Sequence, residues 1–353
     1  MMTIKDAIKK VTEKGNLSEE ESHSLFSEIM DGNATPSQIG ALLAALRMKG
    51  ETVLEITGAA RVMREKAIKV RFEDNASLFE KGDVKDDAIL DTCGTGGTGR
   101  DTFNISTPVS FVVAACGVKV AKHGNRSASG RCGSADVLEK LGVKIDAPIE
   151  VTKKCIQQIG VGFMYAPLYH TAMRHAMATR KEIGIKTIFN LLGPLANPAS
   201  ANCQVVGVFD PRLTEVIADV LGKLGARCAY VVHGMDNLDE VTITTKTKVS
   251  EYKDGRVWTY YVEPHTFGFK IAKKESIKGG NVDENATIVK SILGGERGPR
   301  QEIVLMNASC ALMAAGKSKG FKEGVAIARE AIESGKAREK MEQLIRMTNE
   351  GVL

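Results

Sequence analysis

The chain has 353 residues, 43% of them hydrophobic and 26% charged, with a formal net charge of +5. That length suits one large α/β domain or a large and a small one, with a core that needs no disulfide or metal staple. Seven scattered cysteines without a Cys-x-x-Cys pair, no apolar run of membrane-spanning length and a mild, dispersed basic excess argue against a disulfide scaffold, a zinc site, a secretory leader, a membrane span and nucleic-acid binding. The cysteine usage fits a cytoplasmic protein.

Residues 4 to about 72 read as helix throughout. Ile4, Ala7, Ile8 and Val11 form one apolar face, and Ser18 with Glu21, Thr35 with Gln38 and Thr52 with Glu55 form three capping boxes. The second opens with Pro36 and closes at Gly50, with Ile39, Leu42, Leu43 and Leu46 on one side. A polar stretch around Asp74-Asn75 and Lys81-Gly82-Asp83 then leads to a different pattern. From Ala88 short apolar strands alternate with helices, the signature of a parallel or mixed α/β sheet. The expected strands are Ala88–Leu90, Val118–Ala121, Cys203–Phe209, Ala229–Val232 and Glu240–Thr245. A helical stretch from about Leu168 to Ile183 interrupts them and is expected to return to the N-terminal helices. Asp254-Gly255 marks a hairpin between Glu251–Lys253 and Arg256–Val262. Helices follow at Ala286–Leu293, Glu302–Ala315 and Gly320–Ser334, and no internal repeat is visible.

Chemistry concentrates between residues 91 and 142. Gly94, Gly96, Gly97 and Gly99 follow a strand, so their N–H groups can approach an anion closely, and the next helix N-terminus adds partial positive charge. Lys122, His123, Asn125 and Arg126 then supply side-chain donors, as a heavily phosphorylated ligand requires. Gly94-x-Gly96-x-x-Gly99 also matches a dinucleotide fingerprint, but Pro108 would break the helix that such a fingerprint opens. Pro108 reads better as the first helical residue behind a Thr107 cap. The second strand ends in Lys122-His123 where a ribose-binding site needs an acid, and no nucleotide triphosphatase loop is present.

Asp239-Glu240, in a loop after a buried strand, could bind Mg²⁺ opposite a polyphosphate, or could simply be solvated. His170 and Arg174 stand four apart and would share a helix face, with Arg180 about one and a half turns on. An Arg beside aromatic groups can hold an aromatic carboxylate, although a solvated helix charge is the plainer reading. His170 has no acid or Cys partner at ligand spacing and is not read as a metal ligand.

Gly94-Thr-Gly-Gly with Thr102-Phe-Asn-Ile-Ser-Thr107, Lys122-His-Gly-Asn-Arg-Ser127, Gly133-Ser-Ala-Asp-Val-Leu138 and Thr187-Ile-Phe-Asn-Leu-Leu-Gly-Pro194 together resemble the anthranilate phosphoribosyltransferase family. Gln38-Ile, Ala45-Leu-Arg-x-Lys-Gly-Glu-Thr52 and Asp239-Glu240 extend the likeness over nearly the whole chain. The resemblance implies a mostly parallel central sheet flanked by helices in a large domain, residues 74–164 and 187–353. A small all-helical domain would comprise residues 1–73, with about 165–186 packing back on it. It implies transfer of the phosphoribosyl group of phosphoribosyl pyrophosphate (PRPP) to anthranilate, with Mg²⁺, by a cytoplasmic homodimer, and raises association with anthranilate synthase subunits.

Carried over residue by residue, Gly94, Thr95, Gly96, Gly97, Thr102, Asn104, Ser106, Thr107, Lys122 and Ser134 would bind the donor. Ser106, Asp239 and Glu240 would hold the metal, and Gly94, Asn125, His170 and Arg180 would line the anthranilate route. His123 is the candidate to accept the proton after attack. Two positions depart from the family: Thr98 replaces an Asp after the glycine pair, with Asp101 a nearby substitute, and Thr171 replaces a Pro after His170. A pyrimidine nucleoside phosphorylase shares the architecture but lacks the lysine turn. Nucleic-acid-binding paralogues should show a degraded acidic pair.

Overall fold

The structure, a computed structural model, describes residues 2–72, 88–96, 101–127 and 132–350. The expected linker at 74–83 and the positions Gly97, Thr98 and Gly99 therefore lie outside the described residues.

Four helices open the chain: α1 (Ile4–Thr12), α2 (Glu19–Met30), α3 (Pro36–Lys49) and α4 (Val53–Lys66). All three expected capping boxes form, and Thr3 with Asp6 adds a fourth at α1. The box at α4 does more than cap. Glu55 is fully buried, accepts from Leu17 N at 2.9 Å and from Thr52 N at 2.8 Å, and pairs with Lys49 at 2.9 Å. One carboxylate thus ties three segments of the bundle together.

The α/β part follows as β1 (Ile89–Gly94), α5 (Ser106–Ala115), β2 (Lys119–Gly124), α6 (Ser134–Leu141), α7 (Ile149–Ile159) and β3 (Val161–Tyr165). Next come α8 (Ala166–Tyr169), α9 (Arg174–Ile183), α10 (Phe189–Leu195), β4 (Cys203–Gly207), α11 (Leu213–Lys223) and β5 (Cys228–Gly234). The hairpin β6 (Thr247–Lys253) and β7 (Arg256–Val262) precedes α12 (Val282–Leu293), α13 (Pro299–Ala314), α14 (Phe321–Glu333) and α15 (Lys336–Glu350). The seven strands run in the order β3-β2-β1-β4-β5-β6-β7, parallel through β5 and antiparallel beyond it. In this order β2 and β3 lie on one side of β1, while β4 and β5 lie on the other. The crevice at the carboxyl ends of β1 and β4 is therefore the topological switch point, where open α/β sheets bind ligands.

One core packs a sheet face against α5 and the C-terminal helices, through Val109, Phe111, Val112, Leu305 and Leu312. A second joins the N-terminal bundle to α10, α11 and the other faces of β4 and β5, through Phe26, Leu43, Phe189, Ile217 and Val231. Helix α9 packs against α2 and α3, the expected return to the N-terminal helices. Among the described residues no helix is long and apolar enough to cross a membrane, and all seven cysteines are free.

Three expectations need correction. Glu240–Thr245 is not a strand: Val241 exchanges both backbone bonds with the Asn307 side chain, at 3.0 and 2.9 Å, so a helix amide replaces a strand partner. The helix expected from Leu168 to Ile183 breaks at His170 (φ −113°, ψ 57°) and resumes only at Arg174, after a single 3₁₀ turn. Strand β3 and helix α15 were not expected. The hairpin turn is as expected, with Asp254 and Gly255 at φ 50° and 76°, the left-handed pair a tight hairpin needs.

Candidate active site

The site grows from the ends of β1 and β4. Thr95 N donates to Gly207 O at 2.9 Å and Thr95 Oγ1 accepts from Phe209 N at 3.1 Å, locking the first turn of the glycine loop onto β4. Gly96 has φ +65°, a left-handed conformation that suits glycine. Its N–H donates to Asp239 Oδ2 at 2.9 Å. The acidic loop is stacked directly on these glycines: a Cβ on Gly94 would run into the Asp239 carboxylate, and one on Gly207 into its carbonyl. Asp239 and Glu240 keep partial access to solvent. Burial nevertheless raises both carboxyl groups, and Asp239 adds repulsion that pushes Glu240 up to about 8. Among the described residues no three His, Cys, Asp or Glu side chains form a metal cage. Two crowded carboxylates with open faces suit Mg²⁺, which commonly takes one or two carboxylates and completes its shell with substrate oxygens.

The second wall is the loop before α5. Thr102 bridges to Lys278, Gly279 N donates to Asp101 O at 2.9 Å, and Asn104 N donates to Asn285 Oδ1 at 2.9 Å. Helix α5 starts at Ser106, so Pro108 is its third residue, and Thr107 is not the cap. Asn104 Oδ1 does that work, accepting from Thr107 N at 3.2 Å and Thr107 Oγ1 at 2.5 Å. Asp101 lies in this wall and pairs its backbone with Gly279.

Between the walls lies Lys122, 2% exposed, whose ammonium donates to Thr92 O at 2.7 Å and Ser106 Oγ at 3.0 Å. Burial lowers its pKa, and Asp91 opposes that shift. Asp91, fully buried in β1, accepts from His123 N at 3.1 Å and Asn197 Nδ2 at 2.8 Å. Sequence reasoning missed both residues, although an acid inside Ile89-Leu-Asp-Thr-Cys93 was a visible signal, since buried carboxylates need partners.

His123 Nδ1 faces Gly193 O at 3.2 Å, which makes Nδ1 the donor and Nε2 the free acceptor. The His123 and His170 rings stand 5.0 Å apart at 57°, and both Nε2 atoms are buried without a hydrogen-bond partner. Burial, with His170 adding to it, pushes His123 down to about 3, and burial takes His170 down to about 4. Both rings are therefore neutral at pH 7.

The remaining expected residues divide. Asn125 is exposed just past the end of β2, and Ser134 opens α6 with its Oγ against Gly124. Arg126 is committed elsewhere, paired with Asp136 at 2.9 Å and Glu139 at 2.8 Å, so it is a brace for α6 and not the free donor expected. Arg180 lies 5.1 Å over the ring of Phe189. The break at His170 means that His170 and Arg174 do not share one helix face. Arg174 is exposed, with its Nε 3.3 Å from His175.

A helical bundle joined to an α/β sheet whose switch point carries a glycine turn, a buried lysine and an acidic pair defines a two-domain glycosyltransferase. Residues 86–338 match the α/β domain of the glycosyl transferase family, and residues 5–67 match that family's helical bundle domain. The chain is 54% identical to the anthranilate phosphoribosyltransferase of Geobacter sulfurreducens, over 98% of this chain and 100% of that one. Among solved structures, anthranilate phosphoribosyltransferase from Thermus thermophilus superposes with a TM-score of 0.88 at 41% identity, covering 97% of this chain and 99% of that one. The Saccharomyces cerevisiae enzyme, solved with PRPP and Mg, gives 0.86 at 27%, covering 98% of each chain. The chain belongs to the anthranilate phosphoribosyltransferase family.

Proposed function

We propose that the protein transfers the phosphoribosyl group of PRPP to the amine of anthranilate, releasing pyrophosphate. The observation that carries this reading is the acidic loop stacked on Gly94, Gly96 and Gly207 beside the buried Lys122, at the switch point of the sheet. Gly94, Thr95, Gly96, Gly97, Thr102, Asn104, Ser106, Thr107, Lys122 and Ser134 bind the donor in this reading. Asp239, Glu240 and the Ser106 hydroxyl would hold Mg²⁺, which when bound offsets charge on the departing pyrophosphate.

Anthranilate is already unprotonated at its amine near neutral pH, so no base acts before attack. The amine nitrogen forms a bond to the anomeric carbon as the bond from that carbon to the pyrophosphate oxygen breaks. The chain's contribution is to hold the two reactants in line and to exclude water. Neutral His123 presents a free Nε2 lone pair that can take the proton the nitrogen sheds afterwards. Gly94, Asn125, His170 and Arg180 line the anthranilate side, with Arg180 on Phe189 supplying the cation for the carboxylate.

Residues 1–73 with 165–186 form the small domain in this reading, and the remainder forms the large one. It also includes a homodimer, which sedimentation velocity tests directly, and association with anthranilate synthase subunits, which co-purification tests. The reaction itself is tested by following anthranilate fluorescence with PRPP, with and without Mg²⁺. A Mg²⁺-dependent fall matched by pyrophosphate release is the expected result. No fall at any Mg²⁺ concentration would overturn the reading.

A further inference from the structure

Asp91 sits in β1, a central strand of the seven-stranded sheet, with no exposed surface. A buried carboxylate is costly unless charge and hydrogen bonds compensate it. Its compensation comes from two consecutive residues of β2 and one residue beyond α10. His123 N donates to Oδ1 at 3.1 Å, Asn197 Nδ2 donates to Oδ2 at 2.8 Å, and Lys122 supplies the opposing charge. Asn197 Nδ2 also donates to Ala121 O at 2.9 Å, while Asn197 Oδ1 accepts from Ala199 N at 2.9 Å. The neighbouring Pro198 O accepts from Val70 N at 3.1 Å, so the chain leaving the N-terminal bundle is tied to the same loop. One carboxylate therefore gathers β1, the end of β2 and the loop between α10 and β4.

We infer that Asp91 is a positioning residue for phosphoribosyl-donor binding: with Asn197 it fixes Lys122 and His123 at the end of β2 so that the lysine ammonium meets Ser106 at the donor loop. Asp91 itself is sealed from the crevice and acts through Lys122. This rests on the reading of Lys122 as a donor-binding residue. An uncharged residue at 91 removes the largest of the negative charges that favour the charged lysine, and an amide there must set its NH₂ against either the Asn197 NH₂ or the His123 N–H.

The test is a double-mutant cycle on the full-length protein, with Asp91→Asn, Lys122→Met and the pair, read by steady-state kinetics and by calorimetric donor binding without anthranilate. Asp91→Asn should raise the donor KM at least tenfold and leave the anthranilate KM within twofold. The pair should bind donor no more weakly than Lys122→Met alone, because Asp91 acts through that lysine. A carboxylate that only holds the fold together would lower thermal stability and leave both KM values unchanged, or would add fully to the lysine loss; either result overturns the inference. Should Asp91→Asn fail to fold, Asn197→Ser replaces it in the same cycle, removing one donor and keeping the charge, with the same non-additivity required. If Lys122→Met leaves donor binding unchanged, the donor-binding reading of the site fails. If only the Asp91 arm is silent, that reading stands and the positioning role falls.

Discussion

His123 and His170 show how much a residue's behaviour depends on where the fold leaves it. In the unfolded chain each imidazole titrates near 6.5, whereas burial takes them to about 3 and about 4 in the native state. Between those values the unfolded chain binds protons that the native protein refuses, so their contribution is complete above pH 6.5 and lost as pH falls. The loss should reach roughly 2 kcal/mol for each ring by pH 5. Thermal melts from pH 7 to 5 should show this slope, and the His123→Gln/His170→Gln variant should flatten it. The acidic pair has the opposite conflict. With Mg²⁺ absent, Glu240 ionises only against burial and the charge of Asp239, so Glu240→Gln should raise the Tm in metal-free buffer above about pH 8. The same change should raise the Mg²⁺ concentration for half-maximal rate on the order of 10- to 100-fold. A lower metal-free Tm, or an unchanged Mg²⁺ requirement, would remove these carboxylates from the metal site. Lys122 and the acidic pair were legible because their motifs are local. Asp91 and Asn197 were not, because each works through a partner that only folding brings near.

At the scale of elements, the end of β4 places the acidic loop by close contact, beside the hydrogen bonds from Gly96 N and between Val241 and Asn307. Gly207 ends β4 directly beneath the Asp239 carbonyl, and no side chain fits between them. Gly207→Ala should therefore displace Asp239 and Glu240 while leaving the rest of β4 intact. A shift of about 1 Å would cut kcat/KM on the order of 100-fold. The prediction is checked by kinetics beside a far-UV spectrum: normal turnover in the alanine variant would refute it. Helix starts with capping boxes were readable because the cap and its partner lie three residues apart. The non-strand at 240–245 was misread because its apolar run is buried, yet its partner is the Asn307 side chain, which no periodicity reveals. The break at His170 was missed for a related reason: a helix-like run hid a turn set by packing on the sheet end.

For the whole molecule, arginines on α4 add to the apolar core that joins the N-terminal bundle to α10 and α11. Arg64 donates to Leu195 O at 2.6 Å and Leu224 O at 2.8 Å, and Arg61 donates to Lys223 O at 3.1 Å. These carbonyls lie at the C-terminal ends of α10 and α11, where the helix dipole favours a cation. Arg64→Met should cost about 2 kcal/mol in urea unfolding and speed amide exchange in α4. Exchange unchanged throughout α4 would show that apolar packing alone joins the two parts. The sequence by itself determined the helical start, the alternation that builds the sheet, the glycine turn after β1 and the position of Lys122, since each is encoded by residues within one or two turns of chain. Only the tertiary structure decided that β1 lies between β2 and β4, that the acidic loop rests on Gly94 and Gly207, and that Asp91 bonds the backbone of His123 beside Lys122. Those depend on strand order and on contacts between residues up to 145 apart in the numbering, which local propensity cannot express and which burial selects by requiring every enclosed charge and backbone group to find a partner.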